Sequence, residues 1–176
     1  MSVILNGCKQ QTPAWQKVLY EHYYGFAISV CMRYAPTGED AIEIMNDGFV
    51  KIFKGIVSFR EPDDAGVLEK VLMAWIKRIM INTGINFSKS VAGYTFWTSH
   101  DGSALNYTAT SHSNSDGNLA YEDLLKFVRR LSPAYRNTFC LYAIDGYTHE
   151  EIANLLGVSV GTSKSNLMKA RKNLKK

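Results

Sequence analysis

Lys164, Ser165, Met168, Lys169, Arg171 and Lys172 stand three and four residues apart, the spacing that lines side chains along one face of a helix. Such a row of cations and polar groups suits a polyanion. From Ser159 to Lys176 there are six Lys or Arg and no acid, whereas a solvated surface helix usually mixes signs. A helical hairpin with an ordinary solvated basic face is the plainer alternative. Other chemistry-bearing residues do not converge. His22, His100, His112 and His149 are scattered, with no metal-ligand spacing among them. Cys8, Cys31 and Cys140 are far apart and read as reduced cysteines of a cytoplasmic protein, neither zinc ligands nor a disulfide frame. No glycine-rich phosphate loop and no nucleophile motif is present, so the sequence offers no catalytic residue, no metal site and no cofactor.

The basic row has to be held, and the residues before it supply the means. Thr148 can cap a helix, with Glu151 three residues on to reach back to the cap amide. Ile152, Ala153, Leu155 and Leu156 give that helix one apolar face. Gly157 ends it in the left-handed backbone that a side chain resists. Ser159 caps the next helix, whose inner seam is Val160, Ser163, Leu167, Ala170 and Leu174. A short helix, a glycine turn and a basic second helix make a helix-turn-helix that presents its outer face to a major groove. His149 falls in the first turn of the bracing helix, where solvent is the expected environment.

The rest of the chain fits two small helical domains. At 176 residues, with 46% apolar composition, it can bury a real core. No apolar run approaches the roughly 20 residues that span a bilayer, and the start lacks the pattern of a signal peptide. Residues 1–87 carry nine basic and nine acidic side chains, whereas residues 121–176 carry ten basic and five acidic. Positive charge therefore gathers where the helix-turn-helix lies.

Periodicity predicts a helix over Trp15–Arg33 on the stripe Trp15, Leu19, Tyr23, Phe26 and Val30, broken at Pro36-Thr37-Gly38. A second, Glu39–Val57, turns Ala41, Met45, Phe49, Ile52 and Ile56 inward and is acidic at its start. Early acids suit the helix dipole on their own account. After a polar loop, Ser58–Glu69, a third helix runs from Val67 to Phe87 on Leu68, Leu72, Trp75, Ile79 and Thr83. Residues 88–120 are rich in Ser, Thr, Gly and Asn and read as a linker, with Tyr94, Phe96, Trp97 and Tyr107 as exceptions. Tyr121–Leu131 opens the second domain, and Ser132-Pro133 starts the helix that ends near Gly146. The expected fold is all-α, with domains at 1–87 and 121–176.

Leu131 to Arg136, Gly146 to Ala153 and Leu156 to Thr162 together resemble region 4 of bacterial RNA polymerase sigma factors, most of all the extracytoplasmic-function group of the sigma-70 family. Ala41 to Phe53 is similar to the region 2 helix that such factors dock on the polymerase clamp. Ala74 to Ile79, with Asn82 and Asn86, is similar to the helix that engages the −10 promoter element.

The resemblance implies a transcription initiation factor with no catalytic centre of its own, working in the cytoplasm with core RNA polymerase and promoter DNA. Lys164, Ser165, Met168 and Lys169 would meet base edges of the −35 element, since Lys suits guanine acceptors and Met a thymine methyl. Thr162, Asn166, Arg171 and Lys172 would hold phosphates. Lys77 and Arg78 would bind phosphates of the opened −10 strand, with Asn82 and Asn86 beside the base-capture loop Ser58–Glu69. Asp40, Glu43, Asn46, Asp47 and Phe49 would face the polymerase. Many members are held by an anti-sigma factor, a family expectation that no residue of this chain specifies.

Asn46 and Asp47 stand where Gln and Glu are common in the family. Ile81 stands where Arg is frequent, Ser88 and Ser90 dilute a usually basic helix end, and Ser163 replaces a seam valine, its hydroxyl able to bond the preceding turn. A stand-alone helix-turn-helix regulator would explain the charge asymmetry equally well. It would leave the acidic helix, polar loop and Trp75–Asn86 helix unexplained.

Overall fold

The computed structural model describes residues 1–92 and 119–175. Eight α-helices and no strand lie among them. The first group is α1 (Ser2–Lys9), α2 (Pro13–Cys31), α3 (Gly38–Gly55) and α4 (Leu68–Ala92), with 3₁₀ turns at Ile56–Ser58 and Ala65–Val67. The second is α5 (Leu119–Arg129), α6 (Pro133–Phe139), α7 (His149–Leu156) and α8 (Val160–Leu174). A π turn, Cys140–Ile144, extends α6.

Local chemistry sets these boundaries. Pro13 sits in the first turn of α2, where its missing N–H costs nothing. Thr37 caps α3 reciprocally: its hydroxyl accepts from the Asp40 amide at 3.1 Å, and its own amide donates to the Asp40 carboxylate at 3.0 Å. Leu19, Tyr23, Ala27 and Val30 of α2 then pack with Ala41, Ile44, Met45, Phe49 and Ile52 of α3. Leu72, Ile76, Met80, Ile81 and Ile85 of α4 close this core. Each fully buried Leu or Ile contributes about 1.5–3 kcal/mol.

Three features differ from the sequence expectation. α1 was not anticipated; it buries Leu5 and Cys8, and Lys9 reaches Glu61 at 2.6 Å, tying the polar loop down. The inner face of α4 keeps Leu68, Leu72 and Thr83 of the expected stripe and departs from it at two positions: Trp75 and Ile79 are half-buried, while Ile76, Met80 and Ile85 point inward. Met73, Trp75, Ile76, Ile79, Met80 and Ile81 give the middle of that helix an apolar arc wider than its buried face, so periodicity alone does not choose among them. Trp75 instead packs on the Phe59 ring, 5.1 Å between centroids. α4 also continues through Ser88 to Ala92. Ser88 is buried and donates to the Tyr34 carbonyl at 3.2 Å, which anchors this last stretch. The rest of the expected linker, with Tyr94, Phe96, Trp97 and Tyr107, lies outside the described residues.

The second group packs α6 and α7 against α8. The two groups touch. Arg129 donates to the Met32 carbonyl at 3.4 Å, Lys89 to the Leu155 carbonyl at 3.2 Å, and the Cys140 thiol to the Arg33 carbonyl at 3.7 Å.

Candidate nucleic-acid interface

The helix-turn-helix is built as its residues dictate. The Thr148 hydroxyl accepts from the Glu151 amide at 3.2 Å, while the Glu151 carboxylate accepts from the Thr148 amide at 2.8 Å and its hydroxyl at 2.9 Å. The backbone bond from Thr148, then its hydroxyl, holds the Glu151 carboxyl below the usual glutamate range. Gly157 has φ 73°, and its amide bonds the Ala153 carbonyl at 2.9 Å. Ser159 accepts from the Thr162 amide at 3.0 Å and starts α8.

On α8, Ser163, Leu167 and Ala170 face inward, while Lys164, Met168, Arg171 and Lys172 are exposed, Met168 at 65%. Thr162, Ser165 and Lys169 are half-exposed. Asn166 departs from expectation: at 8% exposure it sits on the inner side and is not turned to a phosphate. A concavity of about 510 Å³ runs between Lys164, Met168, Arg171 and Lys172 and the pair Tyr142 and His149. Lys169 lies 5.8 Å from the Tyr135 ring centre and Arg171 5.7 Å from that of Tyr142, so aromatic faces aim two of the cations.

His149 corrects a second expectation. It is half-buried, stacked on Tyr142 at 4.6 Å and hydrogen-bonded to the Ser163 hydroxyl at 2.9 Å. That hydroxyl thus bonds across the turn to α7 rather than its own helix, and the Ser in place of Val acquires a purpose. The signal was present: a histidine opening one helix and a serine one turn into the next face each other across a tight turn.

The expected polymerase face on α3 divides. Glu43, Asn46 and Asp47 are exposed, and Ile42 and Val50 lie exposed among them, giving an acidic stripe with apolar flanks. Sequence reasoning missed those two residues. Asp40 is half-buried in the α3 cap. Phe49 does not belong to this surface: it is buried, its ring 4.5 Å from that of Tyr20.

The basic face of α4 is where the two helix groups meet. Arg78 and Asn86 are exposed, Asn82 is half-buried, and Lys77 is paired. Its ammonium lies 2.8 Å from Asp145, whose carboxylate also accepts from Arg33 at 2.6 Å and from the Tyr34 hydroxyl. The Asp145 side chain is 0% exposed and that of Arg33 10%. Burial, then the Asp145 charge, pushes the Tyr34 phenol well above its ordinary value, so it stays a donor. Lys77, Arg78 and Asn82 line a cleft of about 650 Å³ whose far wall includes Tyr147, Glu151 and Asn154.

Two family profiles match this chain: "Sigma-70 region 2" over residues 19–92 and "Sigma-70, region 4" over residues 121–174. The ECF RNA polymerase sigma-E factor of Escherichia coli (strain K12) is 28% identical over 167 residues, covering 88% of this chain and 80% of that protein. The RNA polymerase sigma factor YlaC of Bacillus subtilis (strain 168) is 26% identical over 162 residues, covering 90% and 88%. Among solved structures, the sigma factor RpoE from Bartonella quintana, in complex with the anti-sigma factor NepR, superposes with a TM-score of 0.56 at 21% identity. That match covers 90% of this chain and 93% of the other. No helix among the described residues is long and apolar enough to cross a membrane.

Proposed function

The chain belongs to the extracytoplasmic-function group of the sigma-70 family, which binds core RNA polymerase and directs promoter-specific initiation, and we propose how its residues divide that work. One observation carries the reading: a region 2 and a region 4 follow each other on one chain. A stand-alone regulator would need only the second.

In this division, residues 121–176 read the −35 element as duplex. Lys164, Ser165, Met168 and Lys169 meet base edges, and Thr162, Arg171 and Lys172 hold phosphates; the burial of Asn166 removes it from that set. Residues 1–87 open and hold the −10 element, with Lys77, Arg78, Asn82 and Asn86 along the strand and loop Ser58–Glu69 capturing a base. Extrusion costs a few kcal/mol, which stacking and edge hydrogen bonds offset. The α3 stripe Glu43, Asn46 and Asp47, with Ile42 and Val50, docks on the polymerase: acids set the orientation and the apolar flanks bury area. The chemistry of initiation stays with the polymerase, this chain positions the DNA, and both work in the cytoplasm.

Run-off transcription with bacterial core polymerase on a pool of promoter fragments tests the reading. Promoter-selective initiation that disappears on Asp47→Lys supports it. Tight operator binding by the protein alone, with no effect on core polymerase, would overturn it in favour of a stand-alone regulator.

A further inference from the structure

α1 lies ahead of the residues that match the region 2 profile, which begins at residue 19, yet it has a definite seat. Leu5 and Cys8 are fully buried, and the helix packs on both α2 and the 3₁₀ turn Ile56–Ser58. Trp15 of α2 lies so close over Gly7 that a Cβ there would fall 2.0 Å from the indole. The corner between α1 and α2 is turned by Gln11, at φ 55°, whose side-chain amide donates to the Phe53 carbonyl at 3.0 Å. Lys9, the last residue of α1, reaches Glu61 at 2.6 Å across 52 residues. A lysine closing a helix suits the dipole in any case, but the dipole alone calls for no partner. The two bonds grip the chain on either side of the 3₁₀ turn, at the end of α3 and inside the polar loop. Phe59, buried against Trp75, holds the loop's entrance from within. Beyond Pro62, residues 63–67 are exposed.

We propose that α1 is a strut for the base-capture loop and that Lys9 is a positioning residue for −10 recognition, acting through Glu61 without touching DNA. The proposal rests on the reading of loop Ser58–Glu69 as the segment that captures a base. A loop that must order itself around an extruded base loses affinity for the freedom it gives up, whereas one already seated on helices gives up little. With Glu61 fixed, the exposed tip starts from a set point. The Asp64 carboxylate, accepting from the Gly66 amide at 2.8 Å, shapes the return into α4. The Lys9 ammonium has a second effect. The loop carries Glu61, Asp63, Asp64 and Glu69 against Arg60 alone, a poor balance for a segment that meets a phosphate chain, and Lys9 offsets one of those acids. The paired side chains keep 26% and 29% of their surface in solvent, so the bond adds little to global stability and its effect is concentrated in the position of the loop.

Run-off transcription by core polymerase with the full chain, on promoter fragments randomised through the −10 element, tests this by reading the base preferred at each position. Lys9→Ala should flatten the preference at the captured base roughly fivefold, the cost of ordering one more residue on binding, and leave the −35 preferences unchanged. Lys9→Arg should keep the wild-type pattern, and the exchanged pair Lys9→Glu/Glu61→Lys should recover it. Undiminished −10 preference in Lys9→Ala overturns the proposal. So does a loss spread equally over the −10 and −35 elements, which is what destabilisation alone would give. An exchanged pair no more selective than Lys9→Ala overturns it too. Replacing residues 62–65 by a Gly-Ser-Gly-Ser spacer separates the two readings. If that replacement leaves the −10 preferences alone, the loop captures no base and the underlying reading falls. If it alters them while Lys9→Ala does not, only the strut falls, whereas no stimulation by the wild type sinks the sigma role itself.

Discussion

Two basic faces on this chain are built from similar residues and are left in opposite states. On α8, Lys164, Arg171 and Lys172 stand in solvent, and the neighbours that orient its cations are aromatic rings. On α4, Lys77 already shares a buried carboxylate with Arg33 and Tyr34. An exposed cation beside a ring keeps its charge available at little cost. A cation beside a buried carboxylate has exchanged availability for a place in the fold. Neither state follows from the number of cations; it follows from whether an acid can reach them. α8 and the residues after it contain no acid, and the one that meets α4 comes from the far end of the sequence.

The sharpest way to break this contrast is to treat both faces alike. Arg33→Ala leaves a carboxylate buried with fewer partners, and urea unfolding should show a loss of about 3–5 kcal/mol. Tyr34→Phe removes one donor to the same oxygen pair and keeps both cations, so about 2 kcal/mol is expected in the same experiment. On the open side, Thr148→Ala removes the cap of the bracing helix and should cost about 1 kcal/mol, with −35 duplex affinity falling as α8 loses its support. Lys172→Ala should leave stability within about 0.5 kcal/mol and lower the slope of log affinity against log salt by about one unit. If Arg33→Ala is as mild as Lys172→Ala, the two faces are not different in kind. The smallest effect is in pH. Glu151 titrates below the ordinary glutamate range in the folded chain. Its contribution is therefore present above that range and fades as pH falls through the lowered value. Glu151→Gln should flatten this acid limb of the melting-temperature profile.

What could be read from the sequence was what neighbours in sequence decide. Thr148 with Glu151, Gly157 and Ser159 each act within four residues, and each does in the structure what its type requires. The inward row of α3 was equally plain, because its outer side is polar enough to leave one apolar stripe. The inner face of α4 was plain only in part: Leu68, Leu72 and Thr83 are buried as expected, but Met73, Trp75, Ile76, Ile79, Met80 and Ile81 make an apolar arc wider than the buried face. α1 is short, and Leu5 and Cys8 gain meaning only when α2 is there to cover them. The Arg33, Tyr34, Lys77 and Asp145 cluster left no local trace at all: no spacing along a chain announces a contact made between its domains.

The π turn at Cys140–Ile144 has one more consequence. The Asp145 amide closes a bond to the carbonyl five residues back, at 2.9 Å, where an α-helix would close it four back. One residue more or less turns a helical side chain by about 100° around the axis. The wide turn thus sets the azimuth of Asp145, and Gly146, at φ 78°, ends the helix immediately after it. Deleting a single residue here would preserve every charge and every cap while turning the carboxylate away from Arg33. Whether the two domains meet through this acid is decided by a count of residues, with its chemistry only completing what the register allows.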